Sequence, residues 1–153
     1  FRSELPNAAL RTAFIVGYPG ETRAEFDELL QFVNEAKFDR VGVFTYSHEE
    51  DTHAYHFEDN VSEDVKRARA AKLMEVQAGI ALANNQHYVG QTHKVLIDRL
   101  EGEFYVGRTQ FDSPEVDNEV LLKARDGKLE IGSFYQAKIH SADTYDLMAT
   151  VVK

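Results

Sequence analysis

Residues 12–25 read Thr12-Ala-Phe-Ile-Val-Gly-Tyr-Pro-Gly-Glu-Thr-Arg-Ala-Glu25. Their pattern predicts a strand, a turn and the start of a helix in the first part of the chain. The apolar run from Ala13 to Val16 is too short for a helix and precedes turn residues, so it predicts a strand buried on both faces. Thr22 followed three residues later by Glu25 is a capping box, which predicts a helix beginning near Thr22. A strand, a glycine turn and a helix N-terminus can present backbone amides to a ligand. The alternative is a plain strand-to-helix connection.

The following residues complete a βαβ unit. Apolar residues at three- and four-residue spacing from Phe26 to Ala36 predict a helix that packs one face on a sheet. The run from Val41 to Tyr46 predicts a second buried strand, parallel to the first. One such unit leaves the sheet edges uncovered, which predicts strand exchange or a homodimer. Because the chain has no initiating methionine and its first five residues resemble a helix end, we expect it to be a fragment of a longer protein.

Composition restricts the classes of partner. The 153 residues include 26 acidic and 17 basic side chains, for a net charge of −9. This excess of acids argues against general nucleic-acid binding and favours a basic partner. The chain contains no cysteine, so it offers neither disulfides nor thiolate ligands. With no secretory signal and no apolar run of membrane-spanning length, we expect a cytoplasmic protein.

An acidic, histidine-rich segment and a basic helix follow the second strand. Residues 47–60 lack periodicity and predict a loop, in which the spacing of His48, His53 and His56 matches no recurrent zinc pattern. We therefore expect no metal site. Ser62 is predicted to cap a helix running to about residue 86. Its first half is basic over residues 66–72; such a face is usually solvated, and the alternative is packing against the acidic loop.

The chain changes to a period of two after residue 90. Strands are predicted at residues 92–100, 104–109, 119–124, 134–140 and 145–152. Five short strands suit a small antiparallel barrel of the oligonucleotide-binding type, because closure removes exposed edges. The predicted fold class is therefore α/β plus all-β. The predicted domains are an α/β portion at 1–60, a linker helix at 61–87 and a β-barrel at 88–153.

Several motifs together resemble those of radical S-adenosylmethionine methylthiotransferases. Residues 13–21 resemble the late-strand motif that supports the adenine of the cofactor, and residues 44–52 resemble the Tyr-Ser … Gly-Thr segment that closes the catalytic half-barrel. The terminal barrel resembles the TRAM domain of these enzymes. Residues 107–117, from Gly107-Arg108-Thr109 to Pro114-Glu115-Val116-Asp117, resemble the signature of the branch that modifies a ribosomal protein. Two departures are Ala13 and Asp51, which stand where glycines are usual.

The resemblance implies a function for the full-length protein. It implies the last βαβ portion of a radical S-adenosylmethionine half-barrel, a linker helix and a TRAM barrel. S-adenosylmethionine and two 4Fe-4S clusters would serve the intact enzyme, with the cluster cysteines upstream of this chain, so we expect the fragment to be inactive and to bind none of them. The resemblance identifies no catalytic acid or base and no metal ligand. The residues it places beside the cofactor or at the mouth of the half-barrel are Ile15, Gly17, Gly20, Tyr46 and Ser47.

Charge favours the ribosomal-protein branch over the MiaB-like branch that modifies adenosine in transfer RNA. Residues 89–153 carry eight basic and 11 acidic side chains, a net charge of −3. A barrel that binds transfer RNA should be basic, whereas an acidic barrel suits a cationic small-subunit ribosomal protein. We expect Asp112, Glu115 and Asp117 to form a negative rim for that partner, with Arg108 bracing the loop. The alternatives are a plain turn within the barrel, a transfer-RNA enzyme and a non-enzymatic binding module.

Overall fold

The computed structural model describes residues 3–5, 8–114 and 117–152. The predicted helix end at the start of the chain lies partly outside the described residues, as do Glu115 and Val116 of the barrel signature. The chain divides into two compact units, residues 1–80 and 81–153.

Unit 1 contains the predicted βαβ arrangement. Strand β1 (Arg11–Val16) and strand β2 (Arg40–Thr45) pair in parallel, and helix α1 (Arg23–Ala36) connects them. The predicted capping box starts α1: the Thr22 Oγ1 accepts a hydrogen bond from the Glu25 N–H, and the Glu25 carboxylate accepts one from the Thr22 N–H at 2.7 Å. The local signals therefore predicted this helix start correctly.

The two faces of the β1–β2 sheet differ in burial. One face packs on α1 and on helix α2 (Glu63–Gln86), around a buried cluster of Val16, Phe26, Val33 and Leu73. On the other face, Ile15 and Phe44 are partners in register and are 61% and 60% exposed. The predictions that β1 is buried on both faces and that β2 is a buried strand are therefore wrong. Among the described residues of this unit, the helices pack on one face of the sheet and leave Ile15 and Phe44 exposed on the other.

The acidic segment between β2 and α2 is a loop that contains a 3₁₀ turn at His53–His56. Helix α2 begins directly after Ser62, whose main-chain oxygen accepts the Lys66 N–H at 2.9 Å and whose hydroxyl accepts the Val65 N–H at 3.4 Å. This confirms the predicted cap. Among the residues that the structure describes, no helix is long and apolar enough to cross a membrane.

Unit 2 is a closed five-stranded barrel. Its strands are β3 (Thr92–Glu101), β4 (Phe104–Arg108), β5 (Glu119–Lys123), β6 (Phe134–Ala142) and β7 (Asp146–Val151), which neighbour one another in the order β3-β4-β5-β7-β6. Alternate residues point into the barrel, as the period of two predicted. The buried core comprises Val95, Ile97, Tyr105, Val120, Leu122, Ala137, Ile139, Leu147 and Ala149.

The barrel is mixed, so the prediction of an antiparallel barrel is wrong in one place. Strands β5 and β7 pair in parallel, with Glu119 opposite Asp146, whereas the other four neighbouring pairs are antiparallel. The reason is geometric. Strand directions can alternate all the way around a ring only when the number of strands is even, so a closed ring of five must contain a parallel pair.

A buried amide pair connects the last turn of α2 to the barrel loops within unit 2. The Asn85 side-chain amide donates to the main-chain oxygens of Asp143 and Thr144 at 2.8 and 3.0 Å. Its oxygen accepts a hydrogen bond from the Asn118 Nδ2 at 2.7 Å. Both asparagine side chains are buried, so the Asn85 Oδ1 and the Asn118 Nδ2 depend on each other for this hydrogen bond.

Replacing this amide should destabilise unit 2. We expect Asn85→Ala to lower the free energy of unfolding by about 2 kcal/mol, because it leaves the buried Asn118 amide without its acceptor. Urea denaturation followed by circular dichroism would measure the change. The control is Gln86→Ala at the neighbouring exposed position, which should change stability by less than about 0.5 kcal/mol. Equal effects of the two substitutions would contradict the role given to Asn85.

Asp146, the first residue of β7, carries an electrostatic penalty. Burial raises the pKa of its carboxyl group, and the carboxylates of Glu119 and Asp143 raise it further. The folded chain therefore holds this proton more tightly than the unfolded chain does. The side chain is destabilising at neutral pH, and the penalty disappears as the pH falls below the ordinary aspartate pKa.

Asp146→Asn should accordingly stabilise the barrel at pH 7. We expect a gain of up to about 1 kcal/mol in the free energy of unfolding, which disappears near pH 3 because both side chains are then neutral. Urea titrations at several pH values would measure it. Asp126→Asn, at an exposed site, is the control and should produce less than about 0.5 kcal/mol at either pH. A gain that does not depend on pH would contradict this explanation.

Candidate functional site

The turn after β1 lies at the carboxyl end of the parallel strands, where α/β proteins usually bind ligands. Gly17 and Gly20 have φ values of 78° and 83°, a conformation that favours glycine. The Gly17 N–H donates to the Glu21 Oε2 at 3.1 Å, and the Gly20 N–H donates to the Asn60 Oδ1 at 2.8 Å. These two amides therefore bind acceptors within unit 1, and the turn is held in shape from inside.

A buried lysine supports this turn. The Lys66 side chain is 1% exposed, and its Nζ donates to the Asp59 Oδ2 at 2.7 Å and to the Glu63 Oε1 at 2.8 Å. Its stem lies against Gly17, where an added Cβ would stand 2.3 Å from the Lys66 Cγ. Burial alone would lower the pKa of Lys66, but the hydrogen bonds and charges of Asp59 and Glu63 outweigh burial and raise this pKa.

A second basic side chain of α2 holds the other end of the turn. Arg69 NH1 donates to the Glu21 main-chain oxygen at 3.0 Å and to its carboxylate at 2.5 Å, and both side chains are mostly buried. Glu21 therefore joins Arg69 to the Gly17 amide. For residues 66–72 the sequence predicts a solvated face or packing on the acidic loop. Lys66 follows the second alternative by pairing with Asp59, but the contact of Arg69 with the turn was not anticipated.

A sequence signal for these two basic residues was present. Arg69 follows Lys66 by three residues, and the buried Leu73 follows Arg69 by four. This spacing places all three on one face of α2. The basic side chains therefore share the face of α2 that carries its buried leucine.

Tyr46 and Ser47 follow β2 at the same end of the sheet. Tyr46 is 9% exposed, and its ring centroid lies 5.5 Å from that of Tyr18. Burial raises the pKa of the Tyr46 phenol, and the charge of Asp59 adds to this effect. Ser47 is exposed, and its hydroxyl donates to the Glu49 carboxylate. The structure therefore brings Gly17 and Tyr46 together around Lys66 and leaves Ser47 at the surface.

The loop after Ser47 keeps one feature that the family resemblance requires. Asp51 has a φ of 63°, so it adopts the backbone conformation for which glycine is usual at this position. Among the described residues, no group of three or more His, Cys, Asp or Glu side chains is placed to hold a metal ion. The chain has no cysteine, so its residues do not fit an iron–sulfur cluster.

In unit 2, the predicted partner-binding residues take different positions. The Arg108 Nε donates to both carboxylate oxygens of Asp98, at 3.2 and 3.0 Å. Asp112 is 8% exposed and accepts the Thr109 hydroxyl at 2.6 Å, so it organises the loop from inside and does not lie on an exposed rim. The Asp117 carboxylate accepts the Ser113 N–H at 2.7 Å. Glu115 lies outside the described residues and stays a prediction from the sequence.

Arg108 and Asp117 line a cleft of about 270 Å³ on the barrel. Its other charged lining residues are Asp98, Arg99 and Glu119. Arg99 is paired with Glu119 at 2.8 Å, and Arg108 is paired with Asp98. Among the described lining residues, three acids and two bases thus face this cleft, which gives this lining a net negative charge.

Comparison with known proteins first identifies the class of unit 2, because residues 89–152 match the TRAM domain family. The chain as a whole is similar to proteins named ribosomal protein uS12 methylthiotransferase RimO. It is 49% identical over 152 residues to that of Cytophaga hutchinsonii and 54% identical over 147 residues to that of Flavobacterium johnsoniae. The match to the Bacteroides thetaiotaomicron protein is 49% over 153 residues. By sequence, the chain corresponds to the C-terminal part of RimO.

These matches cover 96–99% of the chain but only 34–35% of the relatives. The chain therefore spans about a third of the length of the curated relatives it matches.

Proposed function

We propose that this chain is part of a radical S-adenosylmethionine methylthiotransferase that modifies the β-carbon of an aspartate in ribosomal protein uS12. The observation that carries the proposal is identity of about 50% over nearly the whole chain to proteins named ribosomal protein uS12 methylthiotransferase. In this proposal unit 1 forms part of the cofactor wall, the TRAM barrel binds substrate, and α2 links them. The cluster ligands come from elsewhere in the full-length enzyme, so this chain is inactive alone.

The open face of the β1–β2 sheet supports the proposed cofactor wall. Ile15 and Phe44 lie side by side on it and are mostly exposed, next to Ala13 and Gly42. An added Cβ at Gly42 would stand 3.3 Å from the Phe44 ring, so glycine leaves room for that ring. An apolar surface of this kind fits the flat adenine ring of S-adenosylmethionine.

The other proposed wall residues shape and border this surface. Gly17 and Gly20 fix the turn beside it through their positive φ values, and their amides are already paired within unit 1. Tyr46 and Ser47 border the carboxyl end of β2. When bound, S-adenosylmethionine supplies the radical chemistry, and the residues of this chain bind and orient it.

The activity is tested in the full-length protein that contains this sequence, with its clusters reconstituted. We expect mass spectrometry to detect a methylthio group on an aspartate of uS12 only when S-adenosylmethionine and reductant are both present. Ile15→Ala should weaken binding of S-adenosylmethionine about tenfold, because it removes apolar area that would be buried against the adenine. Val89→Ala, at an exposed site in the other unit, is the control and should leave that affinity unchanged. Modification of transfer RNA in place of uS12 would contradict the proposal.

The barrel cleft is the proposed contact of unit 2 with the basic ribosomal protein. Its lining is net negative, and residues 89–153 carry a net charge of −3 from eight basic and 11 acidic residues. Charge complementarity of this kind mainly raises the association rate and selects the partner. Arg108 pairs with Asp98 and keeps the wall of the cleft in place, and Asp112 holds the neighbouring loop.

Charge reversal tests this contact in the full-length enzyme. Glu115→Lys with Asp117→Lys should slow association with uS12 about tenfold at low salt, with a smaller effect at high salt. Glu130→Lys, at an exposed site elsewhere in the barrel, is the control. The control should associate at the wild-type rate. If the double variant does so as well, the acidic residues of this segment are not the contact.

A further inference from the structure

Unit 1 carries a continuous series of aromatic and histidine rings at the carboxyl ends of β1 and β2, which we call the ring strip. Neighbouring ring centroids are 4.7 to 6.4 Å apart, within the range of aromatic contact. In order along the strip, the rings are Tyr55, His48, Tyr46, Tyr18, Phe57 and His53.

Much of the ring strip is open to solvent. Tyr18, Tyr55 and Phe57 are 42%, 41% and 44% exposed, respectively. Large aromatic side chains grouped on a surface are typical of binding sites, because each offers a wide, rigid contact area. The ring strip is therefore a candidate contact surface.

The charge around the ring strip is negative. Residues 47–60 contain five carboxylates and no lysine or arginine. Asp59 is neutralised by Lys66, whereas Glu49, Glu50, Asp51 and Glu58 are exposed. Carboxylates and the negative faces of aromatic rings both attract cations. The carboxylates also repel phosphate-bearing ligands.

One ring of the strip already contacts a cation. The Lys66 Nζ lies 5.2 Å from the centroid of the buried Tyr46 ring. Tyr18, Tyr55 and Phe57 of the strip are partly exposed to solvent. The planar guanidinium of arginine suits them best, because it stacks on aromatic rings and also pairs with carboxylates.

From these observations we propose that the ring strip is a docking surface for an arginine-bearing peptide segment of the protein substrate. This rests on the proposed function, since it gives unit 1 a substrate contact distinct from the barrel cleft. The site lies at the carboxyl ends of the strands, next to Tyr46 and the turn of the proposed cofactor wall. A substrate segment held there would lie beside the end of the sheet where ligands of α/β proteins bind.

Binding of labelled peptides to the 153-residue chain tests the proposal. The probe is a fluorescein-labelled 12-residue peptide with four arginines and no acidic residues, and its control is the same peptide with citrulline in place of arginine. Fluorescence anisotropy should show binding of the arginine peptide at least about tenfold tighter than that of the citrulline peptide, because citrulline keeps the shape and loses the charge. Equal affinities would overturn the proposal.

Variants of the ring strip locate the site. Tyr55→Leu with Phe57→Leu keeps apolar area but removes two ring faces, and should weaken binding of the arginine peptide about fivefold. Tyr145→Leu in unit 2 is the matched control, because Tyr145 is 58% exposed; it should change the affinity less than twofold. Circular dichroism verifies that each variant is folded. Wild-type affinity of the double variant, or tighter binding of a single-stranded oligonucleotide than of the arginine peptide, would overturn the proposal.

An enzyme assay separates this proposal from the proposed function. In the full-length protein, Tyr55→Leu with Phe57→Leu should raise KM for uS12 about fivefold with little change in kcat. If the wild-type enzyme modifies uS12 and the variant has an unchanged KM, the docking proposal fails and the proposed function stands. If the wild-type enzyme does not modify uS12 while the peptide results hold, the proposed function fails and the ring strip remains a site for cationic peptides.

Discussion

Gly107→Ala is expected to lower the free energy of unfolding of the barrel by about 3 kcal/mol or more. An added Cβ at this position would stand 2.4 Å from the Leu96 main-chain oxygen and 2.7 Å from the Val95 Cγ1. Gly107 lies opposite Ile97, where the β3–β4 register shifts, so the two strands approach closely there. Because the nearest obstacle is backbone, the clash can be relieved only by moving β3, and overpacking of this kind is costly.

Urea unfolding of the barrel would measure this effect. The matched control is Gly102→Ala in the β3–β4 turn, where φ is 56° and an added Cβ meets no described atom within 4 Å. That substitution should cost only the strain of a left-handed alanine, about 1 kcal/mol. If both substitutions reduce stability equally, the close approach at Gly107 is not the cause.

Gly17→Ala should destabilise unit 1 by about 3 kcal/mol. Two penalties add at this position: the φ of 78° strains any residue with a Cβ, and the new methyl group would stand 2.3 Å from the Lys66 Cγ. Lys66 cannot move away without losing its ion pairs with Asp59 and Glu63. Thermal and urea unfolding of the chain would measure the change.

Two further variants separate the penalties at Gly17. Gly20→Ala has a φ of 83° but meets no described atom within 4 Å, so it should cost about 1 kcal/mol. In a Lys66→Ala background, Gly17→Ala should also cost about 1 kcal/mol, because the clash is gone. A cost of Gly17→Ala that is independent of Lys66 would contradict the packing explanation.

Packing and backbone conformation explain the glycine at position 17. Gly17 belongs to the segment that resembles a cofactor-supporting motif, yet its contact with Lys66 and its positive φ are sufficient reasons for glycine at that position. The proposed cofactor wall therefore depends on α2 as well as on the sheet. Lys66 packs against Gly17 of this turn, and Arg69 pairs with Glu21 at its end.

The local elements follow from the amino-acid sequence alone. Short apolar runs and turn residues predicted β1 and β2, and the capping box at Thr22 and Glu25 predicted the start of α1. Alternating residues after position 88 predicted the five barrel strands. These features depend on hydrogen bonds and side-chain periodicity within a few residues, so the local sequence contains what is needed to predict them.

The hydrogen bonds and ion pairs between residues distant in sequence depend on the tertiary structure. Gly20 pairs with Asn60 and Glu21 pairs with Arg69, across 40 and 48 residues of chain, and neither partner follows from a local pattern. Exposure of Ile15 was decided by which sheet face the helices cover, and burial of Asp112 by the fold of its loop. The parallel β5–β7 pair follows from closing a ring of five strands. Burial, pairing and closure depend on the path of the whole chain, which short-range periodicity does not specify.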